Sequence, residues 1–236
     1  MAATEIGVAR LRLRRLAAPV AVVVAGLGLA GCGGDDDETS SMAMGAGCEQ
    51  VEAPAPKDLD LQAPKADAPT ATGVAFVTSC GDFEISFDDR SPKTTASFQY
   101  LAEQGAFDDT VFHRVIPDQL VQGGDPLGSD PDPGVPGTGG PGYFVDEPPP
   151  VNLSYTEGTV MMAKTTAEPI GRSGSQFLVV VGADLGLTPD YALVGEVSSG
   201  LEVVEAISEQ GRPGADGPPT MPVVIETAAP IGESGR

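Results

Sequence analysis

From residue 73 onward, the apolar residues come in short runs, and clusters of glycine, proline and aspartate separate these runs. Runs of this length that are rich in valine, isoleucine and phenylalanine predict β-strands rather than helices. The eight predicted strands cover residues 73–78, 83–87, 111–115, 120–122, 158–163, 176–181, 192–197 and 223–225. The first two are separated by a four-residue turn, which predicts a hairpin.

Two helices are predicted between these strands. The first begins at Ser91-Pro92, where a capping residue precedes a proline in the first turn, and it stops at Gly105. The second covers residues 201–210, between Ser199 and Gly211. About eight short strands with two helices favour a mainly β fold, a closed antiparallel eight-stranded β-barrel that the two helices cap.

The N-terminal residues differ in composition from the rest of the chain. Four arginines between residues 10 and 15 precede an apolar stretch at residues 16–30, and residues 1–31 therefore predict a secretory signal peptide. The stretch is about fifteen residues long and a bilayer-spanning helix needs roughly twenty, so a permanent membrane helix is the weaker alternative. Residues 29–32, Leu-Ala-Gly-Cys, resemble the bacterial lipobox. This resemblance implies lipidation of Cys32 and an extracytoplasmic protein that a lipid anchor attaches to the cell membrane.

Residues 32–72 have the composition of a linker, with much alanine, proline, aspartate and glutamate and few branched apolar residues. We therefore predict an acidic tether over residues 32–72, a folded domain over residues 73–229 and a tail over residues 230–236. Once Cys32 is lipidated, Cys48 and Cys80 remain as an even pair. In an oxidising compartment they are expected to form a disulfide.

The chain is strongly acidic, with a formal net charge of −21. Residues 1–31 carry four arginines and one glutamate, so the form without them has a net charge of −24. A field of this sign repels the phosphates of nucleic acids, and nucleic acid is not an expected partner. A monomer is expected.

Three other kinds of site find little support in the sequence. Residues 137–142 match the dinucleotide-binding pattern G-x-G-x-x-G, but no strand is predicted before them and no helix after them. His113 is the only histidine and the two remaining cysteines are too few for a zinc site, so a metal is not expected. A hydrolase triad around His113 is not supported, because Ser173 and Ser175 lie outside any Gly-x-Ser-x-Gly elbow.

Three separated blocks resemble the signature of the cyclophilin family. They are Phe112-His113-Arg114-Val115-Ile116-Pro117, Gln122-Gly123-Gly124-Asp125-Pro126 and Gly174-Ser175-Gln176-Phe177. The similarity runs from about residue 73 to residue 225. It implies a cyclophilin-like fold and peptidyl-prolyl cis-trans isomerase activity without a cofactor. The implied partners are proline-containing segments of exported proteins, whose folding the enzyme would assist.

Isomerisation of an X-Pro bond requires neither a nucleophile nor a metal, because its barrier of about 18 to 20 kcal/mol comes from amide resonance. A donor that bonds to the prolyl nitrogen as the amide twists acts only in the transition state, and it therefore accelerates the reaction. The family resemblance places Arg114 in this role. It also implies that Gln122 orients Arg114 and that His113 lies beside it.

The resemblance assigns a further set of residues to substrate binding. They are Gln119, Leu120, Ala163, Lys164, Gln176, Phe177, Leu178, Leu187 and Tyr191. Among them, Leu120, Phe177 and Leu187 would help to wall the pocket for the proline ring. Phe177 could instead point into the core, since its neighbours along a strand face the opposite side.

Some of these positions depart from the family pattern. Gln119 and Leu178 stand where the family usually has pocket phenylalanines, and Lys164 replaces a common asparagine. The loss of ring area weakens proline burial by about 1 kcal/mol per position, so slower turnover is expected. The alternative function is a catalytically weak module that binds proline peptides as a chaperone or envelope scaffold.

Overall fold

Short strands dominate residues 47–232, the part of the chain that the computed structural model describes. The elements are β1 (Gly73–Thr78), β2 (Gly81–Phe87), α1 (Pro92–Glu103), β3 (Thr110–Val111), β4 (Arg114–Ile116), β5 (Leu120–Gly123), β6 (Val145–Asp146), β7 (Thr159–Met162), β8 (Arg172–Ser173), β9 (Phe177–Val180), β10 (Leu193–Ser199), α2 (Leu201–Ser208) and β11 (Val224–Ile231). The predicted signal peptide and Cys32 lie outside these described residues. None of the helices within residues 47–232 has the length and apolar character needed to cross a membrane.

Nine strands form one antiparallel sheet in the order β3-β11-β1-β2-β10-β7-β9-β5-β4, and β6 pairs with β8 in a second sheet. The mainly β architecture with two helices is confirmed. The expected closed barrel of eight strands is wrong, because the large sheet has nine strands and curls into a half-barrel whose edges are β3 and β4. The reason lies in the stretch predicted as one strand at 111–115. Its first part pairs with β11 and its last part with β5, while Phe112 and His113 lie between the two ladders.

Strands β5, β7 and β9 are buried on both faces of the sheet. Successive apolar residues along each strand therefore pack alternately into two different apolar clusters. In β9, Phe177 and Val179 belong to the main core, whereas Leu178 and Val180 belong to a second, smaller cluster. Six fully buried phenylalanines form the centre of the main core. They are Phe76, Phe83, Phe98, Phe107, Phe112 and Phe177.

The first helix begins where the sequence predicts, but a different residue caps it. Ser91 occupies the N-cap position without a side-chain hydrogen bond, and its buried hydroxyl has no partner among the described residues. The carboxylate of Glu147 instead accepts the backbone N–H groups of Lys93 at 3.2 Å and Thr94 at 2.7 Å. A negative charge at this end of the helix also complements its dipole.

Residues 47–72 contain no helix or strand, in keeping with their linker composition, but they contact the domain. Cys48 and Cys80 form a disulfide, as predicted. Further along, the backbone N–H groups of Thr70 and Ala71 donate to Oε1 of Gln99 at 2.8 and 3.0 Å. The segment is therefore attached near both of its ends.

Candidate active site

The hairpin of β4 and β5 places Arg114 directly opposite Gln122. Nη1 of Arg114 donates a hydrogen bond to Oε1 of Gln122 at 2.9 Å. Gln122 is buried, whereas the side chain of Arg114 keeps 35% of its exposure. The hairpin thus brings together the two residues that the sequence pairs, and it leaves the guanidinium open to a ligand.

Asp216 holds the other edge of the guanidinium, and nothing in the sequence analysis pointed to it. Its carboxylate accepts from Nε of Arg114 at 2.6 Å and from Nη2 at 2.8 Å. This bidentate bond raises the pKa of Arg114 and lowers the pKa of Asp216. Arg114 is therefore fixed between a carboxylate and a buried amide.

The hydrogen bonds continue from Gln122 in β5 to Gln176, which directly precedes β9. Nε2 of Gln122 donates to Oε1 of Gln176 at 2.9 Å, and Nε2 of Gln176 donates to the carbonyl oxygen of Gly139 at 2.9 Å. Gln122 therefore uses its oxygen for Arg114 and its nitrogen for Gln176. This network fixes the plane of each amide, and with it the orientation of the guanidinium.

Two N–H groups of Arg114 remain for a ligand. A guanidinium carries five N–H donors. Asp216 accepts two of them and Gln122 a third, so one N–H on each terminal nitrogen has no partner among the described residues. Both remaining donors lie in the plane of the guanidinium and are available to acceptor atoms of a bound peptide.

Arg114 and Gln122 line two cavities, one of which is predominantly walled by proline-rich loops. This larger cavity has a volume of about 720 Å³. It is bounded by His113, Asp216 and residues of the loops at 128–137 and 216–222. A chain that passes over Arg114 can therefore extend into this space.

The smaller cavity has a volume of about 650 Å³ and contains several of the predicted substrate-binding residues. They are Ala163, Lys164, Gln176, Leu178 and Tyr191. Glycines of the loop at 137–142 form another part of its wall. The structure thus gathers five of the nine predicted substrate-binding residues next to Arg114.

Tyr155 is buried behind the wall of this cavity, and no pattern in the sequence predicted a role for it. It is fully buried in the second cluster with Leu120, Met161 and Leu178. Its hydroxyl donates to the carbonyl oxygen of Tyr191 at 2.7 Å and accepts from the backbone N–H of Tyr191 at 3.0 Å. Burial raises the pKa of Tyr155 to about 12. Tyr155 therefore fixes the backbone at Tyr191, a residue at the cavity wall.

His113 is a wall residue of the larger cavity rather than a donor. It is buried, and neither ring nitrogen has a hydrogen-bond partner among the described residues. Burial lowers the pKa of His113, Asp125 partly opposes this effect, and Arg114 adds to it. The imidazole is therefore neutral at neutral pH and contributes shape rather than charge.

Four predicted substrate-binding residues lie outside both cavities. Gln119 is exposed at the turn between β4 and β5, and Leu187 keeps 38% of its exposure. Leu120 lies in the second apolar cluster behind Leu178. Phe177 packs in the main core, with its ring centroid 5.5 Å from that of Phe76 and the two rings tilted by 47°, so the inward alternative describes its position.

A metal site is not formed by the described side chains. Within residues 47–232, no three histidine, cysteine, aspartate or glutamate residues lie close enough together to hold a metal ion. The residues around Arg114 offer hydrogen-bond donors, amides and apolar surface.

Comparisons with known proteins show which chains are similar to this one. Residues 74–229 match the family model described as cyclophilin type peptidyl-prolyl cis-trans isomerase/CLD. The chain is 39% identical over 181 residues to peptidyl-prolyl cis-trans isomerase A of Mycobacterium tuberculosis, a match that covers 68% of this chain and 93% of that protein. It is also 39% identical over 169 residues to peptidyl-prolyl cis-trans isomerase B of Streptomyces anulatus, which covers 64% of this chain and 91% of the relative.

A solved structure shows the same fold. The cyclophilin type peptidyl-prolyl cis-trans isomerase of Cryptosporidium parvum, crystallised in the presence of the dipeptide Ala-Pro, superposes with a TM-score of 0.59 at 26% sequence identity. The match covers 68% of this chain and 99% of that protein. The segment that precedes β1 lies outside the residues that match the family model.

Proposed function

The chain belongs to the family of cyclophilin-type peptidyl-prolyl cis-trans isomerases, and we propose that it isomerises X-Pro bonds with Arg114 as the donor in the transition state. The observation that carries this proposal is the pair of unused N–H groups on a guanidinium that two protein partners hold in place. As the peptide bond twists, the lone pair of the prolyl nitrogen becomes available as an acceptor. A hydrogen bond from Arg114 to this nitrogen then stabilises the twisted amide and not the planar one.

The neighbouring residues position the substrate. Gln122 orients Arg114, and Gln176 lines the smaller cavity with one amide N–H left to donate to a carbonyl group of a bound peptide. Leu178 and Ala163 offer apolar surface for the proline ring. His113 is neutral and adds no competing charge next to the guanidinium. Each of these groups is preorganised, so little reorganisation is needed during the reaction.

The test is a protease-coupled isomerisation assay with a proline-containing tetrapeptide. For Arg114→Ala we expect kcat/KM to fall about a hundredfold or more, which corresponds to about 2.7 kcal/mol of transition-state stabilisation. Arg114→Lys should also be slow, because lysine keeps the charge but lacks the planar fork. Arg90→Ala is the matched control, since Arg90 makes the same kind of bidentate pair with Asp88 and lines neither cavity.

The alternative function, a binding module without appreciable turnover, is separated by the same assay. Near-normal turnover of Arg114→Ala with an unchanged melting temperature would refute the proposed mechanism. If the wild type itself binds the peptide but does not accelerate its isomerisation, the chain is a binding module on a cyclophilin fold.

We propose further that the protein acts outside the cytoplasm on exported polypeptides, held at the membrane by a lipid on Cys32. The signal-peptide pattern of residues 1–31 and the Cys48–Cys80 disulfide support this proposal, because disulfides persist in oxidising compartments. Cys32→Ser should release the protein from the membrane fraction or leave an uncut precursor. Unchanged partition of this variant into detergent would show that Cys32 is not the anchor.

A further inference from the structure

The segment at 47–61, here called the N-terminal arm, lies outside the region that matches the family model and yet follows the surface of the domain. The disulfide between Cys48 and Cys80 attaches its beginning. Next to this bond, the backbone N–H of Glu49 donates to the carbonyl oxygen of Ser79 at 2.7 Å. The arm is therefore held in one place relative to β1 and β2.

Lys57 anchors the middle of the arm. Its backbone N–H donates to the carbonyl oxygen of Pro126 at 2.8 Å, and its Nζ donates to the carbonyl oxygens of Gly105, at 3.0 Å, and Asp108. Burial lowers the pKa of Lys57, and the charges of Asp108 and Asp109 oppose this shift. An ammonium group that is partly removed from water and bonded to two carbonyl groups is an attachment point rather than a solvated charge.

The end of the arm contacts the loop that forms part of the smaller cavity. The backbone N–H of Leu61 donates to the carbonyl oxygen of Pro141 at 2.8 Å. Gly142, which follows, has a φ of 95°, and a Cβ at this position would lie 3.1 Å from backbone atoms of Leu61. The arm and the loop at 137–142 are therefore in close backbone contact, and the arm braces a wall of the cavity.

The arm also reaches both cavities beside Arg114. Ala53 forms part of the wall of the larger cavity, and Leu59 forms part of the wall of the smaller one. Leu59 is half-buried and packs against the main core, so its position is fixed. Phe144 lines the same cavity and keeps 59% of its exposure, an unusual amount for a large apolar side chain. Leu59 and Phe144 both present apolar surface to the smaller cavity, and the guanidinium of Arg172 lies over the Phe144 ring, 5.3 Å from its centroid.

We propose that the N-terminal arm is part of the substrate-binding surface, and that Leu59 is a specificity-determining residue which selects an apolar substrate side chain beside the X-Pro bond. The inference rests on the proposed isomerase function. A polypeptide whose X-Pro bond lies at Arg114 places its neighbouring residues in the two cavities, because Arg114 and Gln122 line both. An apolar side chain in the smaller cavity then removes its own surface and that of Leu59 from water.

The experiment uses the full chain and a set of octapeptides with a central Ala-Pro. In each peptide, either the residue before this pair or the residue after it is leucine or serine. Exchange NMR measures isomerisation without a coupling protease, and titration gives Kd. The wild type should prefer leucine on one side. In Leu59→Ala, KM and Kd for this peptide should rise about five- to tenfold with a much smaller change in kcat, because about one buried side chain is lost from the contact. Val151→Ala is the control, since Val151 is 84% exposed and lines neither cavity.

A second variant guards against a general loosening of the arm. Leu59→Phe fills more of the cavity, so it should weaken binding of the leucine peptide and favour binding of the serine peptide. Unfolding would not invert the preference in this way. If wild type and Leu59→Ala prefer the leucine peptide over the serine peptide to the same extent, the inference is overturned and the isomerase function is left intact. A rise in kcat/KM of Leu59→Ala for both peptides would also overturn it, because the arm would then obstruct the site. If the wild type binds without catalysis, the proposed function fails and the Kd values alone decide the role of Leu59.

Discussion

The bond between Cys48 and Cys80 joins residues that are 32 positions apart, and this separation sets the size of its effect on stability. In the chain-entropy model, a cross-link that closes a loop of about 30 residues lowers the conformational entropy of the unfolded chain. This raises the free energy of the unfolded state by about 3 to 4 kcal/mol. The native arm is also attached at Lys57 and Leu61, so loss of the bond should leave most of the folded contacts in place. We therefore expect the change to arise mainly in the unfolded state.

The variant that tests this is Cys48→Ala combined with Cys80→Ala. Alanine is preferred to serine because Cys80 is buried, and a hydroxyl there would need a hydrogen-bond partner. Urea denaturation followed by circular dichroism should show a lower midpoint and a larger m value, because the chain without the cross-link exposes more surface when it unfolds. For a domain of this size, the expected loss corresponds to a decrease in Tm of about 10 °C.

Wild-type protein treated with a reductant should behave like the double variant. The reasoning would be refuted if the midpoint fell while the m value stayed constant, since the bond would then stabilise through native contacts alone. Alkylation of both Cys48 and Cys80 in the native, unreduced protein would show that the bond is absent.

Two further predictions follow from buried side chains. Burial lowers the pKa of His113 in the folded state, so below its ordinary pKa of about 6.5 the unfolded chain binds a proton more readily than the folded protein does. The free energy of unfolding therefore decreases as the pH falls below that value. His113→Leu should lose less unfolding free energy than wild type between pH 7 and pH 5. Tyr155→Phe removes the hydroxyl that bonds the backbone of Tyr191, so urea denaturation should show a loss of about 1 to 3 kcal/mol. Because the pKa of Tyr155 is raised to about 12, the wild type should also lose stability as the pH rises above 10, and the variant should lose less.

Local patterns predicted those parts of the site that depend on strand pairing. Arg114 and Gln122 are eight residues apart in neighbouring strands of one hairpin, and the sequence between them contains the turn that pairs them. Gln176 directly precedes β9, the strand next to β5, so its contact with Gln122 follows once the strands are in register. The disulfide was predictable because only two cysteines remain after Cys32.

Features that depend on how distant segments meet could not be predicted in this way. Strand β9 is buried on both faces, so the sequence shows no alternation from which to decide whether Phe177 or Leu178 faces the cavity. Leu59 stands among alanine, proline and charged residues, and its packing depends on anchors at Lys57 and Leu61 that have no local signal. The interruption between β3 and β4 at Phe112 and His113 arises because β3 pairs with β11 whereas β4 pairs with β5.

Asp216 is the clearest case of such a contact, because it lies 102 residues from Arg114 in a loop without regular structure. Its side chain is 55% exposed and that of Arg114 is 35% exposed, so water screens the pair. Exposed pairs of this kind contribute about 0.2 to 1 kcal/mol, which is well below the roughly 2.7 kcal/mol that a hundredfold effect of Arg114 requires. Screening weakens the attraction between the charges, but the directions of the two hydrogen bonds persist. In the mechanism proposed above, Asp216 therefore acts by orienting the guanidinium, and the two N–H groups that neither Asp216 nor Gln122 uses are the ones assigned to the transition state.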